Sequence, residues 1–103
     1  MRIVITVMSG VDDGKVFELD KTPIMLGRHA DDDVYLPYDT RCSRHHAQII
    51  KKGKSYFIED IGPEGKGSTN GTYLNGKKII GRTPLSSGTL ALLGTVWIKF
   101  EAR

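Results

Sequence analysis

Glycine and proline interrupt this chain so often that long helices have little room. Twelve glycines and four prolines are spread over 103 residues, about one every six, which suits many short strands joined by tight turns. Only residues 38–52 run long without either. On a helix Cys42, His46 and Ile50 would share a face, but that stripe is thin and half polar. Ile49-Ile50 and Tyr56-Phe57-Ile58, across Lys52-Gly53-Lys54, fit a hairpin better. Residues 46–51 and 55–60 are therefore expected as paired strands.

Alternation and turn residues mark the remaining strands. Residues 2–8 and 15–19 flank the turn signal Asp12-Asp13-Gly14. Residues 22–26 form a third strand that starts at Pro23, a residue tolerated at a strand's beginning or edge. That strand runs straight into Gly27-Arg28. Asp31-Asp32-Asp33 is expected as a solvated turn before the apolar run Val34-Tyr35-Leu36, which Pro37 ends. Residues 62–67 read as a flexible loop. Residues 72–74 and 77–79 flank Asn75-Gly76, the strongest hairpin signal present, because both turn positions need positive φ. Residues 89–93 and 95–101 close the fold around Gly94. In the last strand Val96, Ile98 and Phe100 face one way, and Trp97, Lys99 and Glu101 the other. Roughly nine to eleven short strands result, which points to a sandwich or barrel.

The length fits one domain over 1–103 with a modest core. A content of 39% hydrophobic and 26% charged residues marks it as globular, not disordered. No apolar run approaches the ~18 residues of a membrane span. The segment from Met1 to Met8 alternates and lacks a cleavage-type site, so it is not read as a signal peptide. Cys42 is the only cysteine, which rules out an intrachain disulfide and makes a reducing cytoplasm the expectation. The net charge of +3 favours anionic partners in general. The lysines are scattered over hairpins with no aromatic stacking platform, so neither nucleic acid nor a membrane is expected as partner. The chain begins at Met1 and stops right after its last strand, which fits a small natural protein or an N-terminal domain of a larger one.

The chemistry concentrates in Thr40-Arg41-Cys42-Ser43-Arg44-His45-His46-Ala47, between two strand-like segments. Two arginines, a serine hydroxyl and two imidazoles this close together face solvent or a ligand, because burying them unpaired is costly. Leu26-Gly27-Arg28-His29 and Gly67-Ser68-Thr69-Asn70-Gly71-Thr72 read as companion loops, each with a glycine bend beside a donor. A phosphate ester carries about −1.5 to −2 charge near neutral pH and three strong acceptor oxygens. Arg28 supplies a guanidinium fork, Ser43 and Thr69 hydroxyls, and Gly27, Gly67 and Gly71 a close backbone approach. Asn70 both donates and accepts, so it suits a peptide backbone next to the phosphate.

Gly27-Arg28, then Ser43-Arg44-His45-His46, then Ser68-Thr69-Asn70-Gly71-Thr72, then Asn75-Gly76 together resemble the signature of the forkhead-associated (FHA) domain. The resemblance implies an all-β, eleven-stranded antiparallel sandwich, without catalytic residues or cofactor, that binds phosphothreonine peptides through loops at one apex. It implies that Arg28 and Ser43 grip the phosphate, that Thr69 helps hold it and lines a pocket for the threonine methyl, and that Asn70 bonds the peptide backbone. Arg44 would add a phosphate or backbone contact, and Arg41 would read residues C-terminal to the phosphothreonine, favouring an acidic one. Gly27, His46 and Gly71 would be architectural, the histidine tying the loops together. The partner would be a Ser/Thr-kinase substrate or the kinase itself. One departure stands out: Asp60-Ile61-Gly62 is followed by an extra Pro63-Glu64-Gly65-Lys66-Gly67 where the family commonly runs directly into Ser-Thr-Asn-Gly-Thr. The added length costs little stability, yet it could shift Thr69 or bring Lys66 to the phosphate.

Other chemistries fit less well. Cys42, His45 and His46 lack the further spaced ligand that zinc needs. Asp31-Asp32-Asp33 lacks the glycine and terminal glutamate of a calcium loop. Gly62 to Ser68 places a serine where a nucleotide-binding loop needs its lysine. His45 reads as an exposed neighbour of the motif. The rival from another class is a phosphate-independent assembly domain on the same sandwich, and the insertion is the feature that keeps it in play.

Overall fold

The computed structural model describes residues 2–103; Met1, where the leader reading starts, lies outside them. Two sheets stack face to face. One runs in the order β2 (Val16–Leu19), β1 (Ile3–Val7), β11 (Val96–Ala102), β10 (Thr89–Leu93), β7 (Thr72–Leu74) and β8 (Lys77–Lys78). The other runs β4 (Val34–Tyr35), β3 (Ile24–Gly27), β5 (Ala47–Lys52), β6 (Ser55–Asp60) and β9 (Thr83–Leu85). The all-β sandwich of eleven strands matches the expectation, and no helix is present among the described residues. No helix is therefore long and apolar enough to cross a membrane.

Alternation sets the core. Val96, Ile98 and Phe100 of β11 are buried, whereas Trp97 is exposed and Lys99 and Glu101 are partly so. Ile3, Ile5 and Val7 point inward from β1, and Ile24 and Leu26 from β3. The β5–β6 hairpin pairs Ile49 with Ile58 and turns at Gly53, whose φ is 61°. The 38–52 segment is thus strand where it is regular, as the hairpin reading requires. Asn75 and Gly76 have φ of 51° and 80°, the pair of positive values their turn demands.

Two features differ from the expectation. Strand β9 has no counterpart in it: Thr83-Pro84-Leu85 is three residues long with a central proline, tolerated because β9 is an edge strand. In an otherwise antiparallel sandwich, β4 pairs parallel to β3, with Leu26 opposite Val34 and Gly27 opposite Tyr35. The loop between them contains the aspartates, and it must carry the chain back to the start of β3's direction. That crossover sets Arg28 at the mouth of the sheet beside the loop that follows β4.

Candidate functional site

The apex is held by buried side chains that reach backbone groups across loops. His46 is fully buried just before β5. Its Nδ1 accepts the Ser43 N–H at 2.9 Å, so the ring proton resides on Nε2, which donates to the Gly71 carbonyl at 2.8 Å. One imidazole thus joins the serine loop to the loop before β7. Burial pushes the His46 pKa below its ordinary value, against the opposing pull of the Gly71 carbonyl and of Asp60 and Asp39. The Asp60 carboxylate, 3.8 Å from Nε2, is therefore a neighbour of a neutral ring.

Asp60, at the end of β6, gathers the second loop. Its Oδ1 accepts the Ser68 N–H at 2.5 Å, and its Oδ2 accepts the hydroxyls of Ser68 and of Thr72, the latter at 2.8 Å. Ser68 Oγ in turn accepts the Gly71 N–H at 2.9 Å. Gly71 adopts φ of 83°, which an L side chain rarely adopts.

Gly27 has a different reason to be glycine. A Cβ there would lie 2.5 Å from Asp32 Oδ2 and 2.6 Å from the His45 nitrogen. Asp32 is buried, contrary to the solvated-turn expectation, and Asp31 and Asp33 alone are exposed. Its Oδ2 accepts the backbone N–H of His29 at 3.0 Å and of His45 at 3.1 Å, and its Oδ1 lies 2.5 Å from His45 Nδ1. His45 is accordingly half-buried at φ of 47°, not an exposed bystander, and its ring stacks 4.8 Å from that of His29. The sequence holds no local sign of this clamp, because Asp32 reaches a loop thirteen positions away.

These anchors bring the sequence-predicted donors together. Arg28 donates its backbone N–H to the Ser43 carbonyl at 3.1 Å and its Nε to the Cys42 carbonyl at 2.9 Å. The guanidinium is thereby fixed at its stem, and its Nη groups have no hydrogen-bond partner among the described residues. Ser43 Oγ accepts the Thr69 N–H at 3.2 Å, which leaves its own hydroxyl proton to donate. Asn70 Nδ2 donates to the Arg41 carbonyl at 2.9 Å, so Asn70 bridges the two loops within this chain. Arg44, Thr69, Asn70 and Arg41 are exposed. Cys42 is buried beneath them, and burial pushes its thiol pKa up to about 12, which removes it as a nucleophile.

The arginines divide cleanly. Arg2, Arg82 and Arg103 each lie against a glutamate: Glu18, Glu59 and Glu101. Arg28, Arg41 and Arg44 are in no ion pair among the described residues. Three guanidinium groups without an ion-pair partner thus accompany the buried Ser43, an arrangement whose charge and donors suit an anion.

The insertion closes on itself. The Gly67 N–H closes onto the Ile61 carbonyl at 2.8 Å, and a Cβ on Gly62 would lie 2.9 Å from the Ser68 nitrogen. Residues 63–67 form an exposed excursion whose ends meet, and Ser68 and Thr69 keep their bonds to Asp60 and Ser43.

This architecture and apex are those of a family of β-sandwich recognition domains. The FHA domain family model matches residues 24–94, and the chain belongs to that family. It is 32% identical over 97 residues to the FHA domain-containing protein FhaB of Mycobacterium tuberculosis, a match that covers 94% of this chain and 59% of FhaB. The chain thus spans under two thirds of the length of that relative. Its fold superposes on the crystal structure of the FHA domain of the CT664 protein from Chlamydia trachomatis with a TM-score of 0.82 at 31% identity, covering 100% of this chain and 99% of that one. It also superposes, with a TM-score of 0.81 at 26% identity over 100% of this chain and 98% of the other, on a chain solved in a structural and functional analysis of phosphothreonine-dependent FHA domain interactions.

Proposed function

We propose that the chain, as a single domain over 1–103, is a non-catalytic module that docks phosphothreonine-bearing proteins after a Ser/Thr kinase has acted on them or on itself. The observation that carries this reading is the contrast among the arginines: those at the apex lack ion-pair partners, and those elsewhere have one. In this reading Arg28 presents its outer Nη groups to the phosphate, and Ser43 donates its hydroxyl. Thr69 adds its hydroxyl and contacts the threonine methyl. Asn70 uses its remaining amide capacity on the peptide backbone, and Arg44 and Arg41 extend the basic rim. Gly27, His46 and Gly71 hold these groups in register.

Each hydrogen bond to the charged phosphate contributes about 1.5–3 kcal/mol. Three or four of them, less the cost of ordering a peptide, give roughly micromolar affinity. Such a module couples a charge change on a partner to its recruitment. A buried, unpaired Cys42 fits a reducing compartment, so we place the domain in the cytoplasm. The assembly reading drew on the insertion, and that loop closes on itself between Ile61 and Gly67. The test is a titration with phosphothreonine, phosphoserine and unphosphorylated peptide libraries. Binding restricted to phosphothreonine, and lost in Arg28→Ala at unchanged Tm, is expected. Equal binding of unphosphorylated peptide, or undiminished binding by Arg28→Ala, would overturn the site.

A further inference from the structure

Beside the apex lies a cleft lined by none of the proposed phosphopeptide-binding residues. It has a volume of about 140 Å³. Its floor is apolar, made by Val7, Leu36 and Val96, all buried. One wall is the turn after β1, with Asp12; the other is Tyr38 and Asp39 of the loop that carries Ser43. Tyr38 is 65% exposed, so its ring face is open.

The carboxylates give the cleft a sign opposite to that of the apex. Neither Asp12 nor Asp39 has an ion-pair partner among the described residues. Asp39 takes only neutral donors: the Arg41 N–H at 2.9 Å, the Thr95 hydroxyl at 2.8 Å and the Thr95 N–H at 2.9 Å. The wall is continuous with the recognition surface. Arg41, two residues on, gives its carbonyl to Asn70, and Gly94 is pressed against the Arg41–Cys42 peptide so closely that a Cβ would sit 2.5 Å from it.

We infer that this cleft is a second subsite for the phosphothreonine partner, and that it takes a lysine or arginine side chain lying on the Arg41 side of the phosphothreonine. The inference rests on the phosphothreonine reading and adds to it. A long cationic side chain is the occupant the chemistry selects. Its methylene stem covers the apolar floor while its head stays at the wet, acidic mouth. The open Tyr38 ring adds a cation–π contact. A glutamate there would meet two carboxylates, and a plain aliphatic residue would leave them uncompensated. The domain thereby reads a bipolar ligand, an anion at Arg28 and a cation in the cleft, in place of the acidic neighbour that the family resemblance would have Arg41 favour.

The test uses phosphothreonine peptides with lysine or glutamate placed at each flanking position in turn. The readout is the ratio of the two affinities at each position for the wild type, Asp12→Asn and Asp12→Lys. At one position the wild type is expected to prefer lysine by about fivefold, the scale of an exposed ion pair. The ratio should fall toward one in Asp12→Asn and invert in Asp12→Lys. Phosphothreonine peptides that bind with no such preference, or a preference untouched by either variant, would overturn the subsite alone. Absence of phosphothreonine binding by the folded wild type would overturn the subsite and the reading beneath it together.

Discussion

Residues 36–46 bring Ser43 to the apex from inside the fold, whereas residues 61–71 bring Thr69 there from outside. In the first loop Leu36, Cys42, Ser43 and His46 are all buried, and Gly94 abuts its backbone. In the second, residues 63–67 are exposed and held by backbone bonds to Gly62 and Ile61, and side-chain anchoring begins where Ser68 meets Asp60. One loop is held by packing at several points along its length. The other is defined at its two ends and left free between them. A recognition surface therefore does not need every loop rigid; it needs the donor atoms pinned, and the chain between pins can vary in length.

The largest effect should come from removing the pin that serves both loops. His46→Ala leaves the Ser43 N–H without a partner, leaves the Gly71 carbonyl only the long 3.4 Å bond from the Gly94 N–H, and opens a cavity. A loss of roughly 2–5 kcal/mol in unfolding free energy is expected, read by urea denaturation, with phosphopeptide binding failing alongside. A variant of wild-type stability would mean that the two loops hold their places independently.

Ser43→Ala should separate recognition from folding. It removes one hydrogen bond to a charged ligand, roughly 1.5–3 kcal/mol, or about 10- to 150-fold in affinity. The fold loses only the acceptor for the Thr69 N–H, so Tm should move little. Calorimetric titration beside a melting curve makes the distinction. A large drop in Tm with affinity retained would place Ser43 among the supports.

A pH series probes the inner loop more gently. Burial holds the His46 pKa below its ordinary 6.5 in the folded chain. The unfolded chain therefore takes up its proton first as pH falls, and this group's contribution is complete above 6.5 and declines below it. His46→Gln keeps an acceptor and a donor but does not titrate, so its stability should fall less steeply than the wild type's as pH drops from 6.5. Parallel curves would show that His46 binds its proton equally in both states. In the outer loop the anchor Asp60 takes neutral donors, the Ser68 N–H and the hydroxyls of Ser68 and Thr72.

What the sequence could show follows the same division. The strands and the Asn75-Gly76 turn were legible because alternation and positive φ are local properties. Arg28, Ser43, Thr69 and Asn70 stand out because their order and spacing resemble a known signature, and the fold brings the loops that carry them together. Asp32 and Asp60 were not, because a buried carboxylate is defined by backbone donors that the fold supplies from elsewhere; nothing around Asp32 in sequence announces the His45 N–H. Strand β9 was hidden by Pro84, whose tolerance depends on the edge position that only the assembled sheet creates.

The smallest expected effect is the sharpest test of the comparison. Deleting residues 63–67 joins Gly62 to Ser68, whose nitrogen already lies 2.9 Å from where a Gly62 Cβ would be. The lost contacts are the loop's own closing bonds, Gly65 N–H to Gly62 carbonyl and Gly67 N–H to Ile61 carbonyl. Shortening a loop by five residues changes closure entropy by less than about 1 kcal/mol. Phosphopeptide affinity should stay within about twofold, because Ser68 and Thr69 are positioned by Asp60 and Ser43 and not by the residues removed. A tenfold loss of affinity at unchanged Tm would mean that Lys66 swings in to reach the phosphate, and that the outer loop belongs to the binding surface as much as the inner one does.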